Sequence, residues 1–220
     1  MARTVYALIL LARLAGAQIV HPVTGRPYAG VMSANGASWL TRPERETEEE
    51  PDKALAALGI AKGATVADIG AGSGYMTWRM AELVGPAGKV YANDIQPRML
   101  EMLKKNVEAR NLHNVETVLG AVDDPRLPAG RIDLALLVDV YHEFSEPQQM
   151  LRHIRESLKP GGRLVLLEYR AEDPAVPIRP EHKMTVAQVR AEIEPEGYRL
   201  DQVIESLPRQ HILVFRKSVQ

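Results

Sequence analysis

An apolar run at residues 65–69 passes without a break into Gly70-Ala71-Gly72-Ser73-Gly74, and a segment of helical periodicity follows. Strand, glycine turn and helix in that order form the unit with which parallel sheets hold nucleotide-like ligands. Glycine lets the backbone turn tightly and lets a ligand reach main-chain N–H and C=O groups with no Cβ in the way. The feature also commits the chain to crossover connections, because parallel neighbours cannot be joined by a tight turn.

The remaining sequence repeats the same alternation. Apolar runs at 65–69, 89–93, 115–119, 132–138 and 163–169 predict parallel strands. Helices are predicted at 75–84, 97–110 and 147–158, the last closed by Lys159-Pro160-Gly161-Gly162. The stretch 119–132, with Asp123, Asp124, Pro125 and Pro128, reads as a loop. A helix at 185–194 precedes strands at 198–204 and 211–216, whose short connection through Pro208 predicts an antiparallel pair. Acidic residues at 44–50 followed by Ala54, Leu55, Ala57 and Leu58 predict one helix ending at Gly59.

This pattern places one α/β domain at 44–220 behind an N-terminal extension, 1–43, whose Gly- and Pro-rich part from residue 21 reads as an arm or lid. Residues 1–17 combine Arg3, an apolar run and Ala15-Gly16-Ala17, as a secretory signal would, but Arg13 interrupts the run. Two readings stay open there, a cleaved signal leading to the periplasm or a short amphipathic helix on a cytoplasmic protein. No later stretch is apolar for the roughly 18 residues a membrane helix needs, so no span is expected in the mature protein. The 27 basic and 28 acidic side chains nearly cancel, which argues against nucleic acid and for a small-molecule substrate. There is no cysteine, which removes thiolate metal sites and thiol nucleophiles. Oligomeric state is not legible.

Three acidic features narrow the ligand. Asp68 stands two residues before Gly70, where a carboxylate would repel a diphosphate and attract an ammonium. The spacing is G-x-G-x-G, whereas dinucleotide folds use G-x-G-x-x-G. Asp94 ends the next strand about 20 residues past the last glycine, where a ribose-binding acid belongs. Asp139, Tyr141, His142 and Glu143 follow the strand at 132–138, at the carboxyl end where open α/β sheets bind ligands. Alone, each acid would read as a helix cap or turn residue. Together they describe a ligand with an ammonium at one end, a ribose between and an adenine at the other, which is S-adenosylmethionine.

With VADIGAGSGYMT, VYANDIQPRML and LKPGGRLVLLE on the page, the sequence closely resembles class I S-adenosylmethionine-dependent methyltransferases over roughly 44–217. The resemblance implies a Rossmann-like, doubly wound, seven-stranded, mostly parallel sheet with an antiparallel last strand. It also implies that Asp68, Gly70, Ala71 and Gly72 hold the methionine part, Asp94 the ribose hydroxyls, and Ile95 one face of the adenine. Asp123 would meet the adenine amine beside the Val122 backbone, although Ala121 stands where many relatives carry an acid, which leaves Asp124 as a substitute. Asp139 would approach the cofactor with its backbone.

Methyl transfer from a sulfonium needs chiefly alignment of a nucleophile and exclusion of water. Where the acceptor must lose a proton, a histidine is the natural base. His142 and Tyr141 are therefore the expected catalytic or substrate-contacting residues, set against a structural histidine bonded to a carbonyl. Glu168-Tyr169-Arg170 and His182-Lys183 are further candidates for the pocket, and Trp39 is either its wall or a staple of the arm. His142, Glu143, Glu168 and His182 are ligand types for divalent ions but show no compact ligand spacing, so no metal site is expected. A nicotinamide oxidoreductase, a non-catalytic binding protein and an aminopropyl transferase are the competing readings.

Overall fold

The computed structural model describes residues 20–218; the signal-like segment 1–17 lies outside them. Eight strands form one sheet: β1 Thr65–Ile69, β2 Lys89–Asp94, β3 Val115–Leu119, β4 Ile132–Val138, β5 Leu158–Arg170, β6 Lys183–Met184, β7 Tyr198–Ile204 and β8 Gln210–Lys217. Their order is β3-β2-β1-β4-β5-β8-β7, and the two-residue β6 pairs with the end of β5. All pairs are parallel except those of β8, which runs antiparallel to both β5 and β7. The order reverses between β1 and β4, so a crevice opens at their carboxyl ends.

Successive side chains of the central strands enter opposite cores. Ala67, Ile69, Ala135, Leu137, Leu164, Leu166, Leu213 and Phe215 meet helices α5 (Pro147–Ser157) and α6 (Val186–Ile193). Val66, Leu134, Leu136, Val165, Leu167, Ile212 and Val214 meet α2 (Pro51–Leu58) and α3 (Thr77–Val84). Helix α4 (Pro97–Glu108) covers β2 through Leu103 and Val107. This two-sided burial is why the strands read as continuous apolar runs rather than as alternating ones.

Three elements differ from expectation. The single helix expected at 44–59 is two, α1 (Arg45–Glu48) and α2, broken where Glu50 takes φ 48°. Pro51 disfavours the α conformation in the residue before it and opens a new helix itself. Strand β5 begins at Leu158, because Lys159-Pro160-Gly161-Gly162 continues beside β4 through an irregularity instead of forming a loop. Strand β6 has no counterpart in the sequence pattern, and it carries His182 to the mouth of the crevice.

The N-terminal arm crosses that crevice and is pinned at two places. Gln96, just before α4, accepts from the Ala34 N–H at 3.0 Å and donates to the Met32 carbonyl at 2.9 Å. Arg26 lies buried against Glu192 of α6, at 2.9 and 3.1 Å. The same guanidinium and the Ala29 N–H both donate to the His142 carbonyl at 3.0 Å.

Gly74 combines φ 90° with a tight neighbour, since an added Cβ would come 2.8 Å from Leu103 Cγ, whereas at Gly63 (φ 80°) it would meet nothing within 4 Å. Gly63→Ala therefore tests backbone strain alone and should cost about 1–2 kcal/mol in urea unfolding. Gly74→Ala adds overpacking and should cost roughly 1–3 kcal/mol more; equal costs would show that Leu103 moves aside freely.

Candidate active site

Beneath the arm lies one cavity of about 580 Å³, within the range of pockets that enclose a small ligand. Its floor is the glycine turn, where Gly70 and Gly72 line it. A Cβ at Gly70 would run into the Val140 side chain, and one at Gly72 would stand 2.7 Å from Leu40 Cδ1 of the arm. The turn is thus closed on by two sides, and its backbone is what a ligand meets.

Asp94, at the end of β2, fixes this turn. Its Oδ2 accepts the Gly72 N–H at 2.9 Å and its Oδ1 the Gln96 N–H at 2.8 Å. Burial raises its pKa above the usual carboxylate range against the pull of these N–H groups. Beside it, Ile95 and Val122, both more than a third exposed, form apolar walls of the cavity.

At the end of β4, Asp139 takes φ 51° and lines the floor. Its Oδ2 accepts from Gln210 Nε2 at 2.8 Å, while its buried Oδ1 has no hydrogen-bond partner among the described residues. Burial raises its pKa well above the ordinary value, and the carboxylates of Glu49 and Glu168 add to that. The break at Glu50 turns Arg42, Arg45 and Glu49 into the same end. Glu49 accepts from Arg45 Nε at 2.7 Å, from an Arg42 Nη at 3.2 Å and from the Tyr169 hydroxyl at 2.8 Å.

Two histidines line the same cavity. His142 Nδ1 lies 2.6 Å from Glu168 Oε2, and the other oxygen of this fully buried carboxylate accepts the Tyr141 N–H at 3.0 Å. Burial disfavours the imidazolium of His142, but Glu168 outweighs it and the net shift is upward. Its Nε2 faces His182 Nδ1 at 3.1 Å. Burial and the neighbouring His142 lower the pKa of His182, and burial pushes Glu143 up to about 7.

Of the residues expected at the site, Gly70, Gly72, Asp94, Ile95, Val122, Asp139 and His142 line the cavity, and Asp68, Ala71, Asp123 and Tyr141 do not. Tyr141, expected to contact the substrate, is placed instead in the core, fully buried against Phe144 and beside Arg26. It and His142 share a single 3-10 turn, Tyr141–Glu143, whose side chains point about a third of a turn apart, so they cannot face the same way. Asp68 lies under the loop, where its Oδ2 accepts from the Thr77 hydroxyl at 2.6 Å. Ala71 faces the packing beneath α4. In the turn 120–124, closed by the Ala121 N–H on the Asp124 carbonyl at 2.8 Å, Val122 points in and Asp123 away, while the Asp124 carboxylate accepts the Arg126 N–H. Glu49 and Gln96 were not singled out by sequence; Pro51 and Pro97, each just after a chain turn, are the signals that mark them.

A family model described as a methyltransferase domain matches residues 60–205. This chain belongs to the methyltransferase domain family. Its fold is that of the class I, S-adenosylmethionine-dependent type. A solved S-adenosylmethionine-dependent methyltransferase from Aquifex aeolicus is 27% identical, with TM-score 0.79 over 84% of this chain and 98% of that one. The protein-L-isoaspartate O-methyltransferase of Methanothrix thermoacetophila is 35% identical over 112 residues, 50% of this chain and 49% of its own length. The ubiquinone/menaquinone biosynthesis C-methyltransferase UbiE of Hahella chejuensis is 32% identical over 112 residues, 50% of this chain and 45% of its own. The chain spans about half the length of the curated relatives it matches.

S-adenosylmethionine is the cofactor of the family, and the cavity of this methyltransferase fits it on three observations. A glycine turn admits no side chain, a buried carboxylate at Asp94 stands where hydroxyls would donate, and the buried Asp139 Oδ1 lies without a hydrogen-bond partner among the described residues. No described helix is long and apolar enough to cross a membrane.

Burial raises the Asp68 pKa to about 6, against the Thr77 hydroxyl that favours its charged form and with Asp94 adding to the rise. A carboxyl whose folded pKa is raised stabilises the fold fully below its unfolded value and loses that contribution as pH climbs through the folded one. The stability of Asp68→Asn relative to wild type should therefore rise by about 2 kcal/mol between pH 4 and pH 7 and stay level above. Urea unfolding across that range measures it, and a pH-independent difference would mean that Asp68 is not held out of water.

Proposed function

We propose that this methyltransferase moves a methyl group from S-adenosylmethionine to a small-molecule acceptor bound between the glycine turn and the His142–Glu168 pair. The observation that carries the reading is that one cavity is lined both by the Asp94–Gly72 cradle and by a carboxylate-fixed histidine.

The bound cofactor supplies a methyl group on a positively charged sulfur, already activated for in-line displacement. Asp94 would accept from the ribose hydroxyls, Ile95 and Val122 would flank the adenine, and the backbone at Gly70 and Gly72 would meet the methionine chain. Arg42 and Arg45 would receive its carboxylate, and the unpaired Asp139 oxygen its ammonium. Leu40, Trp39 and Met32 of the arm cover the cavity and keep water out. With Nδ1–H donated to Glu168, His142 keeps its lone pair on Nε2, the basic atom at the acceptor end that activates the incoming group. The UbiE-type relatives are named for quinone biosynthesis, and a phenol or hydroxylated quinone is the acceptor class we put first.

Calorimetry should show micromolar binding of S-adenosylmethionine and of its demethylated product, with no binding of NADH. Asp94→Ala should weaken both roughly 10- to 100-fold, the cost of losing hydrogen bonds to a charged group. The reverse preference for NADH would overturn the assignment. In an acceptor screen that reads out demethylated cofactor, His142→Ala should lower turnover about a hundredfold or more while binding the cofactor as wild type does; unchanged turnover would remove His142 from the chemistry.

A further inference from the structure

The histidines at the acceptor end answer to one ligand more closely than to each other. We propose that His142 Nε2, His182 Nδ1 and the Glu143 carboxylate hold a divalent first-row transition ion on the cavity wall, and that the methyl acceptor binds to it through oxygen. The inference rests on the methyl-transfer reading for its role, though not for the site itself.

Among the described residues, one ligand atom from each of His142, Glu143 and His182 lies within 4.8 Å of the other two. The sequence hides this grouping, because His182 is delivered by the short strand β6 from 40 residues away. The two imidazole nitrogens are 3.1 Å apart with their rings 84° from coplanar. At a metal–nitrogen distance of about 2.1 Å, that separation subtends roughly 95° at the ion, close to adjacent positions of an octahedron.

Glu168 supplies what such a site needs behind its first ligand. A carboxylate on the far ring nitrogen fixes the tautomer and orientation of a metal-bound histidine and strengthens its lone pair. Here the Glu168 contact at 2.6 Å is itself held by the Tyr141 N–H, and the Arg26 bond to the His142 carbonyl fixes the same turn from the other side. Two imidazoles and one carboxylate suit zinc, iron, cobalt or nickel and not magnesium or calcium, which take oxygen ligands alone.

Three protein ligands leave positions open, and all three residues line the cavity. With Nε2 bound to the ion, His142 acts as a ligand and no longer as the base, and a hydroxyl coordinated there gives up its proton to solvent at a lower pH than when free. The resulting oxyanion attacks the methyl carbon, the carbon–sulfur bond breaks, and the sulfur keeps the electron pair. A hydroxyl next to a carbonyl or a second hydroxyl would fill two open positions at once, so chelating oxygen compounds are the favoured acceptors.

The test uses the full chain with any affinity tag removed, dialysed against Zn²⁺ or Co²⁺ and then against metal-free buffer. The expected result is one ion per chain, a Co²⁺ visible spectrum that shifts on adding acetohydroxamate, and Zn²⁺ affinity lowered at least tenfold in both His182→Ala and Glu143→Gln. Calorimetry of the demethylated cofactor with each variant shows that the cleft is folded. Far less than one ion per chain, or equal affinity in the variants, would mean that the two histidines share a proton only, and would overturn the site while leaving the methyltransferase reading intact. Zinc bound without any cofactor binding would uphold the site and overturn its part in methyl transfer.

Discussion

A sheet covered by helices on both faces has nowhere to place charge except at the ends of its strands. Strands β1, β2, β4 and β5 are buried along most of their length, and the strand-borne polar groups of the cavity sit at their carboxyl ends or in the turns that follow. The reversal of strand order between β1 and β4 opens the gap into which those ends point. Asp94, Asp139, His142 and Glu168 thus share one small volume because the rest of each strand is committed to packing.

That concentration of acids has a cost. Asp68, Asp94, Asp139 and Glu143 all carry raised pKa values, each chiefly because it is withdrawn from water. A fold selected for stability alone would not gather three such carboxyls on one cavity with Asp68 beneath its glycine turn, and their cost is offset in the apolar layers above and below the sheet. Their common environment suits a ligand that brings positive charge, because a cation favours the very form that burial disfavours.

The strands and the glycine turn were legible because hydrophobic runs and glycines act locally, and four strands, β1, β3, β4 and β7, begin and end where the apolar runs do. Side-chain direction was not. Tyr141 and His142 are neighbours in one 3-10 turn, and only three-dimensional packing decides which of them reaches the cavity. Asp123 and Val122 exchange their expected weight for the same reason, a four-residue turn that aims one inward. Glu49 depends on a helix break that Pro51 marks in the sequence, but whose result, an acid and two arginines turned toward the glycine loop, is a matter of tertiary geometry. The pairing of His142 with His182 rests on a two-residue strand too short to leave any periodicity.

The arm's two attachments differ in kind. Arg26 is buried in a bidentate ion pair with Glu192, whereas the span from Met32 to Asn35 is held by part-buried or exposed hydrogen bonds with Gln96 and Arg98 at the rim. Hydrogen bonds near solvent cost about 0.5–1.5 kcal/mol each to break, less than a buried charged pair. Between the two anchors stands Gly30, with no side chain to resist a change of backbone direction. The roof over the glycine turn and the segment that fixes the His142 carbonyl are thus held by separate bonds on either side of a glycine, so a change in one does not by itself remove the support of the other.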